Sequence, residues 1–253
     1  MQLVEVRGPD MAMPMASRPG GDYEPYAREY ALTVAQREQG GVDGDPYGIL
    51  PPLLSGLGNL AGSTVLDAGC GEGYLARVLA ARGARVTGID ISPTLIGRAR
   101  AKDTKDAIDY RVADLSQPMP ELAGAFDAVA SYLVLNDVPD YQGFARTIAD
   151  ALRPGGSAVL AFNNPYYGFL SRHVTDYFDS GRVSPYRGFW EAGVKIYYYH
   201  RTLEDYLDAF LSCGLQLTKL GDLPAMADEH PPHAIVPQGN RFPRFMLLRF
   251  AKH

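Results

Sequence analysis

Cysteine is nearly absent from this chain of 253 residues: Cys70 and Cys213 are the only two, and they lie far apart. That rules out a disulfide framework and any Cys-rich metal motif, and it suits a reducing compartment. There is one tryptophan, and no apolar run approaches the length needed to cross a membrane. No signal-peptide core is visible at the N-terminus. Neither sign of charge dominates: 24 Lys and Arg stand against 29 Asp and Glu, for a formal net charge of -5. With no basic run, a sequence-independent grip on nucleic-acid phosphates is not expected. A cytoplasmic globular protein is expected, free of membrane and nucleic acid, and a monomer or homodimer. At 46% hydrophobic and 21% charged residues the composition is ordinary. The length suits one α/β domain with room for an insertion.

The most informative stretch runs from Thr64 to Ala76. Val65 and Leu66 read as the end of a short buried strand. Asp67 to Gly73 form a turn with glycine at every second position, and Leu75, Val78 and Leu79 recur at helical spacing. A strand, glycine turn and helix N-terminus aim backbone N–H groups at a ligand that the missing side chains let close. The dinucleotide fingerprint G-x-G-x-x-G fails here, because Tyr74 follows Gly69 and Gly71 at the third glycine position. The pattern is Asp-x-Gly-x-Gly-x-Gly, with the acid at the strand end.

Further elements follow at regular distances. Strands are expected at Arg85–Asp90, Ile108–Ala113, Phe126–Leu133 and Ser157–Phe162. Ser92-Pro93 opens one helix, and Asp140–Leu152 forms another, stopped by Arg153-Pro154-Gly155-Gly156. Thr202 and Asp205 resemble a capping box opening a helix that ends at Cys213-Gly214, and strands at Leu215–Leu220 and Arg244–Phe250 complete the series. Strands alternating with amphipathic helices imply a parallel sheet with right-handed crossovers. Residues 1–21 read as a mobile leader. Residues 22–60 read as an N-terminal helical cap, with Tyr23, Tyr26 and Tyr30 on one helical face and a second helix from Tyr47 to Leu60. Between Asn163 and His200 the pattern breaks into Tyr, Phe, Gly and Pro around Trp190. A segment of that length is functional or carries its own structure.

Asp67-Ala68-Gly69-Cys70-Gly71-Glu72-Gly73 resembles the first motif of Rossmann-like (class I) S-adenosylmethionine-dependent methyltransferases, and later motifs recur in order. The resemblance covers about Tyr23 to His253 and is strongest from Val65 to Gly156. It implies a seven-stranded, mostly parallel sheet with helices on both faces, an antiparallel last strand, and an aromatic insertion after the fifth strand. It also implies S-adenosylmethionine as cofactor and S-adenosylhomocysteine as product. On this resemblance Asp67, Gly69, Cys70, Gly71, Gly73 and Tyr74 form the cofactor turn. Asp90, at the end of the second strand, accepts the ribose hydroxyls, Ile91 lies against the adenine, and Asp114 and Leu115 meet its edge. Ser131 and Tyr132 offer backbone beside the sulfonium, and Tyr26 and Tyr30 either pack on the core or cap the cofactor.

Substrate contacts are expected from Asn136, Asn163, Tyr166, Tyr167, Trp190 and Tyr198, with the insertion as a lid and aromatic pocket. Asn136 and Asp137 either face the substrate or cap the next helix. Asn163-Asn164-Pro165-Tyr166 is one proline short of, and one strand later than, the Asn-Pro-Pro-Tyr of amino-methylating DNA enzymes, and is set aside. Among His173, His200, His230 and His233, His200 is the candidate catalytic residue, since its His-Arg-Thr entry into a helix is familiar in small-molecule members; the alternative is a helix anchor. Glu229, His230 and His233 sit in a proline-rich loop, and no metal site is expected. The expected function is methyl transfer to oxygen or nitrogen of a small organic molecule. The alternatives are a protein or RNA methyltransferase, or a non-catalytic S-adenosylmethionine-binding protein.

Overall fold

The computed structural model describes Ala27, Asp45 and residues 47–170, 174–186, 196–224 and 242–253. The leader, Tyr26, Tyr30, Trp190, His173, Glu229, His230 and His233 lie outside the described residues.

The elements are α1 (Leu50–Leu57), β1 (Thr64–Ala68), α2 (Tyr74–Ala81), β2 (Arg85–Asp90), α3 (Pro93–Lys102), β3 (Asp109–Val112), β4 (Phe126–Tyr132), α4 (Tyr141–Ala151), β5 (Leu152–Asn163), α5 (Pro165–Leu170), β6 (Gly181–Tyr186), β7 (Ile196–His200), α6 (Leu203–Leu211), β8 (Leu215–Pro224) and β9 (Pro243–Lys252). Seven strands form one sheet in the order β3-β2-β1-β4-β5-β9-β8. The first five are parallel, and β9 runs antiparallel to both β5 and β8. β6 and β7 make a separate antiparallel hairpin in the segment after β5, a feature the sequence reading did not anticipate.

Side-chain alternation splits the strands between two cores. Val65, Ala128, Ala130, Val159, Phe245 and Leu247 face α1, α2 and α3 through Leu53, Leu75 and Ile96. Leu66, Val129, Leu160, Met246 and Leu248 face α4 and α6 through Phe144, Tyr206 and Phe210. The helix ends follow local chemistry. Ser92 Oγ accepts from Leu95 N, and Thr202 and Asp205 form a reciprocal capping box. α4 is capped by Asp140, whose Oδ1 takes the Gly143 N–H at 2.8 Å, so neither Asn136 nor Asp137 caps it. β1 extends two residues beyond the expected end, which places Asp67 inside the strand, paired with Gly88 and Ala130.

Parallel strands put all their carboxyl ends on one edge, where open α/β sheets bind ligands. Because β9 is antiparallel, its first residues, Pro243 and Arg244, reach the same edge as Asn163 at the end of β5.

Candidate active site

The glycine turn is held by backbone. Gly69 and Cys70 both donate N–H to the Ile89 carbonyl, at 2.8 and 3.0 Å, and Gly73 N–H reaches the Cys70 carbonyl at 2.8 Å. Gly69 and Gly73 sit at φ +79° and +75°, and each is pressed by a side chain. A Cβ on Gly69 would lie 2.4 Å from Val134 Cγ2, and one on Gly73 would lie 2.2 Å from the Tyr110 hydroxyl. Gly71 differs: a Cβ there meets nothing within 4 Å, so its face of the turn is open to a ligand. Glu72 is buried and ion-paired with Lys102 at 2.7 Å, which ties the turn to α3.

Asp90 locks β2 to this turn. Its Oδ2 accepts the Gly71 N–H and its Oδ1 the Ser92 N–H, each at 2.9 Å. Asp67 is 1% exposed, and neither carboxylate oxygen has a hydrogen-bond partner among the described residues. Burial pushes it up to about 8, and the Asp90 charge adds to that; the Ala76 N–H opposes without reaching hydrogen-bond geometry. A buried carboxyl held neutral in this way regains its charge when a cationic group binds beside it, so it can accept one. The Cys70 thiol, expected at the turn, is pushed well above its ordinary value by burial first and then by Asp67 and Asp90, so it stays a protonated, inert neighbour.

The remaining expected cofactor residues take these places. Asp114 Oδ1 receives the N–H and hydroxyl of Ser116 at 2.9 and 2.6 Å, and Leu115 is buried. Ile91 and Tyr74, flanking Asp90 and Gly73, are half-buried. Ser131 Oγ donates to the Ala68 carbonyl at 3.0 Å, tying β4 to β1. Tyr132 donates its hydroxyl to Asp45 at 2.9 Å, and Asp45 in turn accepts the N–H groups of Ile49 and Leu50 at the start of α1.

The acceptor side is built from side chains. Asn136 Oδ1 accepts the Asn163 N–H at 2.9 Å, its Nδ2 donates to the Tyr206 hydroxyl at 3.2 Å, and its carbonyl takes the Tyr199 N–H at 2.7 Å. It therefore clamps the end of β4 to β5, β7 and α6. Tyr167 is buried near Arg244, while Tyr166 is half-exposed and stacks on Tyr177 with ring centroids 5.0 Å apart. Tyr198 lies in β7 and is half-buried. Asn164, Tyr166, Phe169, Leu170, Asp222, Phe242 and Pro243 line a mostly apolar cavity of about 330 Å³ on the same sheet edge.

His200 is 2% exposed and donates Nε2–H to the Tyr177 carbonyl at 2.8 Å, joining β7 to the chain after α5. Arg201, given no role of its own in the His-Arg-Thr entry, is 5% exposed; its guanidinium lies 4.4 Å from the Tyr141 ring centroid and donates to the Pro139 carbonyl. Val134, Tyr110 and Tyr206 were also missed. Each acts through contacts distant in sequence, which local motifs do not encode. Asp137 had a signal, an acid beside Asn136 at a strand end, but helix capping was the preferred local account. No group of three or more His, Cys, Asp or Glu that could hold a metal ion occurs among the described residues.

Comparison with known proteins agrees with this geometry. Residues 66–160 match the family model described as a methyltransferase domain. A ubiquinone biosynthesis O-methyltransferase of Xanthomonas axonopodis pv. citri is 42% identical over 106 residues, 41% of this chain and 44% of that relative. The chain thus aligns with less than half the length of the curated relatives it matches. The crystal structure of an S-adenosylmethionine dependent methyltransferase from Mesorhizobium loti is 27% identical, covers 80% of this chain and 96% of that one, and has a TM-score of 0.63. A 4+2 cyclase shares the fold alone, at 19% identity, 81% and 79% coverage and a TM-score of 0.56. Asp67's unpartnered oxygens, the open face of Gly71 and the fixed Asp90 carboxylate suit the cofactor that this domain family uses, S-adenosylmethionine. Residues 66–160 form the core of a Rossmann-like, class I S-adenosylmethionine-dependent methyltransferase domain.

Proposed function

We propose that the protein transfers the methyl group of S-adenosylmethionine to oxygen or nitrogen of a small organic molecule, as one domain spanning residues 22–253 with residues 163–200 covering the acceptor. The observation that carries this reading is the placement of a cation-ready glycine turn and a largely apolar, aromatic cavity on one edge of one sheet. The O-methyltransferase activity in the relatives' names favours oxygen. A cavity of about 330 Å³ matches a small molecule better than a nucleic acid or protein surface.

When bound, S-adenosylmethionine supplies an electrophilic methyl group on a sulfonium. Asp67 would receive its ammonium group, and Asp90, held in place by the Gly71 and Ser92 N–H groups, would receive the ribose hydroxyls. The Asn136 clamp and the aromatic walls would orient the acceptor and exclude water. For an in-line displacement such alignment supplies roughly 7–11 kcal/mol of the barrier. Transfer of labelled methyl from S-adenosylmethionine into a cellular metabolite extract, with mass spectrometry of the products, tests the reading. A methylated small molecule supports it. A cofactor bound with no product in any fraction would place the chain with the non-methylating users of the fold.

A further inference from the structure

The turn after β4 leaves one carboxylate unmatched. Leu133 adopts φ +59°, a left-handed conformation that a non-glycine residue rarely takes. Its N–H reaches the Ala161 carbonyl at 2.7 Å, and the Asp137 N–H closes the turn on the Val134 carbonyl at 2.7 Å. Strain of this kind concentrates where a geometry is needed for function. Every neighbour in the turn is committed. Val134 packs on Gly69, Leu135 enters the core, and Asn136 forms the clamp. Asp137 is half-buried, and its carboxylate takes no hydrogen bond from any described residue. It does not cap α4, because Asp140 does.

Two titratable groups face it. Asp90, from the end of β2 on the donor side, raises its affinity for a proton, and Tyr206, from α6 on the acceptor side, feels its charge. No cation among the described residues acts on it. His200, by contrast, has committed Nε2–H to the Tyr177 carbonyl and is 2% exposed.

We propose that Asp137 is the general base of the reaction, taking the proton from the attacking O–H or N–H of the acceptor. The inference rests on the methyltransferase reading above. The acceptor heteroatom's lone pair forms the new bond to the methyl carbon, while the carbon–sulfur bond breaks and its electron pair stays on sulfur. The acceptor's proton passes to a carboxylate oxygen of Asp137, which later releases it to solvent. Burial, and secondly the charge of Asp90, push Asp137 up to about 7, which suits a base working near neutrality.

The test compares wild type with Asp137→Asn, using labelled S-adenosylmethionine, the metabolite extract of the functional screen as acceptor source, and pH 5.5 to 9. S-adenosylhomocysteine affinity is measured by calorimetry on the same samples. The expected result is a fall in turnover of roughly a hundredfold or more, loss of the acidic limb of the wild-type pH profile, and S-adenosylhomocysteine affinity within twofold of wild type. In ligand-free protein carrying ¹³C-carboxyl aspartate, one resonance should titrate near pH 7 and vanish in Asp137→Asn. Turnover within threefold of wild type, a midpoint below pH 5, or a selective loss of S-adenosylhomocysteine binding would each overturn the assignment. An active wild type with an unimpaired variant defeats this inference alone. A wild type that binds S-adenosylhomocysteine but methylates nothing defeats the functional reading and this one with it.

Discussion

The donor and acceptor halves of the site share one sheet edge but are made of different material. The donor half, at β1 and β2, is a backbone construction: carbonyls and N–H groups of Ile89, Cys70, Gly71 and Ser92 set its shape, with glycine wherever the main chain must turn left-handed. The acceptor half, at β4, β5, β7 and β9, is a side-chain construction, with Asn136, His200, Arg201 and Tyr206 each bridging segments distant in sequence. A backbone site tolerates almost no change at its turn residues and serves one ligand. A side-chain site can change occupant by substitution, which is how one fold serves many acceptors.

The largest effect that would sharpen this contrast concerns Asp67. In the folded chain it holds its proton up to about pH 8, while the unfolded chain releases it near the ordinary value of 3.8. The folded state therefore binds more protons in this window, and stability falls as pH rises from about 4 through 8. Asp67→Asn should remove a penalty on the order of 5 kcal/mol at pH 9 in ligand-free protein. It should show a flatter pH dependence of denaturant unfolding, together with weakened S-adenosylmethionine binding. An unchanged pH dependence would mean that Asp67 is solvated.

Gly73→Ala comes next. Left-handed backbone and overlap with Tyr110 together should cost about 2–4 kcal/mol, seen as a lower urea midpoint. Tyr110→Phe in the same chain should recover part of that. Gly71→Ala, with open space before it, should cost only the backbone strain of about 1–2 kcal/mol yet abolish cofactor binding. If Gly71→Ala bound cofactor normally, the turn would not be the donor site.

Asp90→Ala removes two charge-assisted bonds to backbone and the ribose acceptor. Cofactor affinity should fall at least tenfold by calorimetry, since such bonds are worth roughly 1.5–3 kcal/mol.

His200→Ala leaves the Tyr177 carbonyl unpaired, so Tm should drop by about 4–8 °C. Glutamine, whose amide nitrogen can reach the position of Nε2, should restore it. Asparagine, which mimics Nδ1, should not. Restored Tm without restored turnover in His200→Gln would assign the histidine a catalytic role after all. The smallest effect is expected at the half-exposed Phe169. Phe169→Ala should cost under about 1 kcal/mol of stability while raising KM for the acceptor severalfold. An unchanged KM would move the acceptor away from this cavity.

The donor half was legible because its information is local. Alternating glycines, an acid at each strand end and Ser-Pro at a helix start fix backbone geometry over a few residues, and the strand boundaries followed within a few positions. Even here, sequence reading ended β1 at Leu66 and took Asp67 as a turn residue. Its burial, with no hydrogen-bond partner among the described residues, comes from β2 and β4 on either side.

On the acceptor side, composition marked residues 163–200 as a break in the pattern but gave no sign of the β6–β7 hairpin. Its pairing depends on contacts that no local period records. The sequence alone determined the parallel sheet and the glycine turn, because hydrophobic period, caps and glycine placement act within one or two turns of chain; the antiparallel return of β9 was implied only by the family resemblance. Only the tertiary structure decided that Asn136 is a clamp, that His200 faces Tyr177, and that Asp137 stands beside Asp90 without a hydrogen-bond partner among the described residues. A side chain's partner and protonation are set by what the fold packs against it, and those neighbours arrive from elsewhere in the chain.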